Sequence, residues 1–176
     1  MECILVLHNI RSTYNVGSIF RTADAAGVSR IILCGYTPSP IDRFGRERKD
    51  LTKVSLGAEK TIPWQQEKMI GAALKKLKKE GFIVVAIEQD KNSTLLFDYR
   101  VKKRDKLALV LGNEVRGLLK QTLALCDHIL EIPMRGAMLR QAHHPRHARR
   151  GKESLNVSVA AGIVLFTLLH NSWSAQ

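Results

Sequence analysis

Cysteine is scarce in this 176-residue chain, and the three present, Cys3, Cys34 and Cys126, are odd in number, far apart and without a C-x-x-C pair. That excludes a disulfide framework or a thiolate metal cluster, and reads as small buried side chains in a reducing compartment. Long apolar runs are missing too. The longest, Val157 to Leu169, is broken by Ser158, Gly162 and Thr167. As a helix it would reach roughly 20 Å, short of a hydrocarbon core of roughly 30 Å, so no membrane partner is expected. The opening Met1-Glu2-Cys3-Ile4-Leu5-Val6-Leu7 has an acid where a secretory signal carries Lys or Arg, and no small-residue cleavage site. A cytoplasmic location is the expectation. Nucleotide signatures are absent as well. No G-x-G-x-x-G comes after the first apolar run, and Cys34-Gly35-Tyr36 stands where an acid would receive a ribose hydroxyl. Gly112-x-x-x-x-Gly117 leads into Leu118-Leu119 instead of Lys-Ser/Thr. Ordinary dinucleotide binding and nucleotide hydrolysis are thereby disfavoured.

Basic charge is abundant. Lys and Arg number 28 against 16 Asp and Glu, a formal net charge of +12. Such a field favours a polyanion, and with the membrane set aside that means nucleic acid. The apolar fraction of 45% and charged fraction of 25% are those of a globular chain, and the length suits one domain spanning residues 1–176.

Short apolar runs alternate with helical stretches. Cys3–Leu7, Arg30–Leu33, Phe82–Ile87, Leu107–Leu111 and His128–Ile132 are strand-like and apolar on both faces, as buried parallel strands are. Helices are expected over Val16–Ala26, stopping at Gly27, over Gln66–Glu80, and over Ser154–Leu169. The alternation predicts an α/β domain, a mostly parallel sheet with helices on both faces. Two segments interrupt it: a basic loop from Tyr36 to Lys53, and Met138–Arg150, which has three of the six histidines and hardly any acid. The His143-His144-x-x-His147 group has no acid or thiol beside it, and no metal is expected.

Ligands of open parallel sheets bind beyond the carboxyl ends of strands. Three segments rich in Asn, Gly, Arg and Glu come after strands here: Asn9–Arg21, Gly112–Gly117, and Pro133–Gly136 continued by Ser154-Leu155-Asn156. If Asn15 caps the first helix, Arg21 runs over the bare Gly17 toward Asn15 and the sheet edge. A cation there opposes the helix dipole unless an anion shares the site. Glu114, in a Gly-flanked loop, is an acid able to pair with Arg21. Capping remains the ordinary role for Asn15, Ser154 and Asn156.

Together these segments resemble the SpoU (TrmH-like) branch of the SPOUT RNA methyltransferases. Asn9-Ile10-Arg11 through Asn15-x-Gly17-x-x-x-Arg21-Thr22-Ala23-Asp24 is similar to the family's first motif. Leu109-Val110-Leu111-Gly112-Asn113-Glu114-x-x-Gly117-Leu118 resembles the second. Ile132-Pro133-Met134-x-Gly136 with Ser154-Leu155-Asn156-Val157-Ser158-Val159-Ala160 resembles the third. The resemblance implies a C-terminal deep trefoil knot, a homodimer, and S-adenosylmethionine-dependent methylation of a ribose 2′-hydroxyl in tRNA or rRNA. Carried over, it puts Asn15, Arg21, Glu114, Ser154 and Asn156 at the catalytic end. Leu111, Gly112, Ile132, Met134 and Leu155 then fall around the methyl donor.

Arginine is a poor base, its pKa exceeding about 12, so Arg21 is read either as holding phosphate or oxyanion or as losing a proton late. One departure from the family pattern stands out. Residues 137–150 form an additional basic segment with Arg140, Arg146, Arg149 and Arg150 and no acid. It falls inside the third motif, where it could grip RNA, block the donor pocket or be a tolerated insertion. The alternative to an enzyme is therefore a knotted RNA-binding protein that has lost catalysis.

Overall fold

The computed structural model of the chain describes residues 1–134 and 154–173. The elements run β1 (Glu2–His8), α1 (Thr13–Ala26), β2 (Arg30–Cys34), α2 (Lys49–Ser55), α3 (Ala58–Thr61), β3 (Trp64–Glu67), α4 (Ile70–Lys79) and β4 (Ile83–Ile87). Next come β5 (Thr94–Leu95) with a 3₁₀ turn at Leu96–Asp98, β6 (Lys106–Leu111), α5 (Lys120–Leu123), β7 (His128–Glu131) and α6 (Val157–Trp173). The strands form one sheet in the order β3-β2-β1-β6-β4-β7-β5, and every pairing in it is parallel.

Alternation along β1 divides the core in two. Cys3, Leu5 and Leu7 face a cluster that includes Phe20 of α1, Leu51 of α2 and Leu165 of α6. Ile4 and Val6 face Ala73, Leu74 and Leu77 of α4 on the other side. Helices therefore cover both faces, as a sheet of two-sided apolar strands requires. Cys3 and Cys34 are buried in these clusters, and desolvation pushes each thiol up to about 12, helped at Cys34 by the Glu67 carboxylate. Among the described residues no helix is long and apolar enough to cross a membrane.

Several local boundaries differ from the sequence expectation. The first helix begins at Thr13, and its cap is Ser12, whose side chain accepts from the Asn15 amide at 3.2 Å. Asn15 is therefore inside the first turn. Gly17 is not a bare track for Arg21: a Cβ there would lie 2.5 Å from the Leu51 carbonyl oxygen, so this glycine is where α2 presses against α1. The helix expected over Gln66–Glu80 begins only at Ile70, because Gln66 and Glu67 extend β3 alongside Leu33 and Cys34 of β2. The basic loop ends in α2 rather than running structureless to Lys53. The last helix starts at Val157, preceded by Asn156, whose Oδ1 accepts from the Ser158 amide at 2.8 Å. The basic segment 137–150 lies outside the described residues.

Candidate active site

Register brings the strand ends together. Leu7 of β1 is opposite Leu111 of β6, Leu111 is opposite Ile87 of β4, and Ile87 is opposite Leu130 of β7. The segments leaving these four strands therefore emerge side by side. After β1 the chain turns through Asn9, which adopts a left-handed φ of 58°. Its Oδ1 accepts from the Tyr36 amide at 3.2 Å, an arrangement that an asparagine side chain makes tolerable. After β6 comes Asn113, only 8% exposed. Its Oδ1 accepts from the Val115 and Arg116 amides, while its Nδ2 donates to the Asn9 carbonyl and the Tyr36 hydroxyl. One side chain thus shapes its own loop and ties it to two others.

Glu114 is the hub. Its carboxylate accepts from the Arg11 amide at 3.1 Å, from the Ser12 amide at 3.3 Å and from Asn15 Nδ2 at 3.1 Å. Asn15 Oδ1 in turn accepts from Asn156 Nδ2 at 3.1 Å. The first, second and third motifs are thereby joined by one chain of hydrogen bonds. Desolvation pushes the Glu114 carboxyl up, but amide donors, its own, Arg11's and Ser12's, together with the Asn15 side chain, outweigh it and hold the pKa below the ordinary value. The carboxylate is thus set as an acceptor rather than as a proton donor.

Beside this cluster lies a cleft of about 250 Å³. Leu111, Gly112, Glu114, Ile132, Met134, Ser154 and Leu155, seven of the ten residues expected in the site, line it. Gly112 could hold nothing larger than hydrogen, since a Cβ would fall 2.7 Å from the Gly117 carbonyl carbon. Asn15 and Asn156 are linked to Glu114 by hydrogen bonds but do not line the cleft.

Arg21 is not brought in with them. Six residues beyond Asn15, it is about 9 Å further along the helix axis, and it is exposed. Among the described residues it makes no hydrogen bond or ion pair, so the expected pairing with Glu114 and Asn15 is not formed within the chain.

Glu88 is a site residue that the sequence reading did not single out. It sits directly after β4, lines the cleft, and its carboxylate accepts from the amides of Leu118 and Gln89 at 2.7 and 3.1 Å. The signal available for it was its place: the predicted strand Phe82–Ile87 runs straight into this acid at a carboxyl end. Among the described residues no group of three or more His, Cys, Asp or Glu could hold a metal ion.

Residues 2–139 match the model of the SpoU rRNA Methylase family. The chain is 30% identical over 173 residues to 23S rRNA (guanosine-2′-O-)-methyltransferase RlmB of Vibrio vulnificus, covering 98% of this chain and 61% of that protein. It spans about three-fifths of the length of such curated relatives. An AdoMet-bound rRNA methyltransferase from Sinorhizobium meliloti superposes with a TM-score of 0.73 at 26% identity, over 94% of this chain and 55% of that one. A structure giving insight into the 2-OH methylation of C/U34 on tRNA shares the fold, with a TM-score of 0.73 at 23% identity. It matches over 99% of this chain and 98% of its own.

Proposed function

Because the chain belongs to the SpoU rRNA methylase family, we propose that it is an S-adenosylmethionine-dependent RNA 2′-O-ribose methyltransferase. The observation that carries this is the Glu114 hub, which joins three separated motifs beside one cleft. A protein that only bound RNA would have no use for a carboxylate closed onto three donors at the rim of a small-molecule pocket.

The cleft fits the donor. Ile87, Leu111 and Ile132 offer an apolar wall for a purine and a thioether-like chain, and loop backbone at Gly112 is free of side chain. Glu88 and Glu131 supply negative charge to a cationic ligand bearing hydroxyls. When bound, the donor provides a methyl carbon already activated by sulfonium charge. The chain must then align a ribose oxygen with that carbon and ease loss of its proton. Leu111, Gly112, Ile132, Met134 and Leu155 hold the donor in this reading. Glu114 keeps Asn15 fixed, Asn15 orients Asn156, and Ser154 stands at the cleft for the ribose. Arg21 meets the phosphate or the developing oxyanion, consistent with its making no hydrogen bond or ion pair among the described residues.

Residues 1–176 form one SPOUT domain in this reading, with a C-terminal trefoil knot. The molecule works as a cytoplasmic homodimer on rRNA or tRNA. RlmB supports ribosomal RNA, and the length-matched fold neighbour keeps tRNA open. No metal takes part in the proposed transfer.

Arg21→Ala tests the assignment. Methyl transfer to RNA is expected to fall by at least a hundredfold, with donor affinity by calorimetry within a few fold of wild type. Lysine should not restore activity, since the bidentate fork is lost. Full activity in the alanine variant would remove Arg21 from the mechanism, and absence of donor binding by the wild-type chain would overturn the enzyme reading.

A further inference from the structure

The segment after β2 contains a short hairpin that the active site does not use. Ile41 and Glu47 form an antiparallel bridge. Asp42 Oδ1 accepts from the amides of Phe44 and Arg46 at 2.7 and 2.9 Å, and the Asp42 amide donates to the Arg46 carbonyl at 2.7 Å. Gly45, at φ 77°, makes the turn. The Arg48 amide closes the base by donating to the Pro40 carbonyl at 2.8 Å.

Phe44, at the tip, is 64% exposed. The guanidinium carbons of Arg43 and Arg46 sit 4.7 and 4.9 Å from its ring centroid. A guanidinium stacked on an aromatic ring keeps its N–H groups in its own plane, where they remain available to an oxyanion. The ring therefore serves as a post that orders two long side chains in advance, reducing the entropy lost when they bind. Asp42 takes part of the Arg46 charge through a 3.4 Å contact to Nε. Arg43 makes no ion pair among the described residues.

Both roots of the hairpin are tied to the candidate active site. On the way out, the Tyr36 hydroxyl accepts from Asn113 Nδ2, and Thr37 Oγ1 accepts from the Ile10 amide. On the way back, the Asp50 carboxylate accepts a hydrogen bond from the Thr13 side chain in the first turn of α1. The hairpin thus rises beside the cleft, from the same sheet edge.

We propose that this hairpin is a phosphate clamp for the RNA strand entering the site, with Arg43 and Arg46 gripping two neighbouring phosphates and Phe44 holding the two guanidinium groups ready. The proposal rests on the reading that the substrate is RNA. Because the ring is engaged by guanidinium groups, the clamp recognises backbone charge rather than base identity.

The test uses the full chain and a fluorescein-labelled RNA stem–loop, with anisotropy recorded across a potassium chloride series. In the double variant Arg43→Ala, Arg46→Ala, affinity should fall about tenfold, and the log–log salt slope should flatten by roughly 1.4 to 1.8, two phosphate contacts' worth. Phe44→Ala should weaken binding several fold while leaving the slope near wild type, because the charges remain but are no longer held. Donor affinity should be unchanged in both, which also reports that the fold is intact. Wild-type affinity and slope in the double variant would overturn the clamp alone. Wild-type protein that binds no RNA at low salt would overturn the clamp together with the RNA reading. Loss of binding to anionic vesicles, with RNA affinity untouched, would reassign the hairpin to a membrane surface.

Discussion

One carboxylate, Glu114, receives donors from residues 99 to 103 positions away in the chain. Glutamine in its place keeps the shape but offers a single acceptor oxygen and adds two N–H groups facing other donors. Glu114→Gln is expected to lower thermal stability and to abolish methyl transfer. The pH dependence of that stability gap checks the cause. Glu114's native pKa is depressed, so its contribution is complete above the ordinary value of 4.5 and is lost as pH falls through the lower native value. The difference in melting temperature between wild type and variant should be flat from neutrality to about 4.5 and narrow below it. A gap that stays constant into strong acid would detach the effect from the carboxylate.

Gly17 offers a second check at the same scale, because two effects of opposite sign meet there. Helix propensity alone favours alanine over glycine by about 1 kcal/mol. The seat of the Leu51 carbonyl, 2.5 Å from where a Cβ would stand, opposes it with overpacking of about 1–3 kcal/mol. Gly17→Ala should therefore be destabilised in urea titration, and a stabilised variant would show that α2 yields easily. Sequence marks Gly17 for a different reason. The spacing to Arg21 is visible there, whereas the incoming α2 belongs to a loop without apolar periodicity. Asn15, Glu114 and Asn156 stand out only through the three motifs taken together, since each alone reads as a cap or a turn residue. That Arg21 has no acceptor among the described residues is not legible, since a charge pairing is not encoded in spacing.

Among the elements, the buried strands are the easiest to read, being apolar on both faces. β3 and β5 are not. Trp64-Gln65-Gln66-Glu67 is a polar strand at one edge of the sheet, and Thr94–Leu95 is two residues long, so neither has a burial pattern to detect. The start of α1 is ambiguous because Ser12 and Asn15 are equally good caps by type, and the structure uses Ser12. α6 carries an unspent signal. Val159 is 51% and Phe166 43% exposed, with the half-buried Ile163 between them at helical spacing. An exposed apolar stripe of this kind is where the proposed homodimer would dock. Wild-type protein should sediment as a dimer at micromolar concentration, and Val159→Glu with Phe166→Glu should give a folded monomer. A wild-type monomer would contradict the homodimer.

At the scale of the molecule, the parallel sheet sets an order of events in time. β1 is complete at His8, yet its partner β6 ends only at Leu111, and β6 must slot between β1 and β4, both already made. At a synthesis rate of about 5–20 residues per second, one edge of β1 waits roughly 5–20 s for its neighbour. During that interval β1, β2 and β3 can assemble on their own side while β4 has no correct place beside them. Until then β1 has one unpaired edge and β4, with β7 also still to come, has two, so that only β6 keeps β4 from pairing directly with β1. Arrival of β6 is the step that resolves this ambiguity. The two sides of the sheet are therefore joined only by the insertion of Lys106–Leu111, the same strand whose last residue opens onto the cleft.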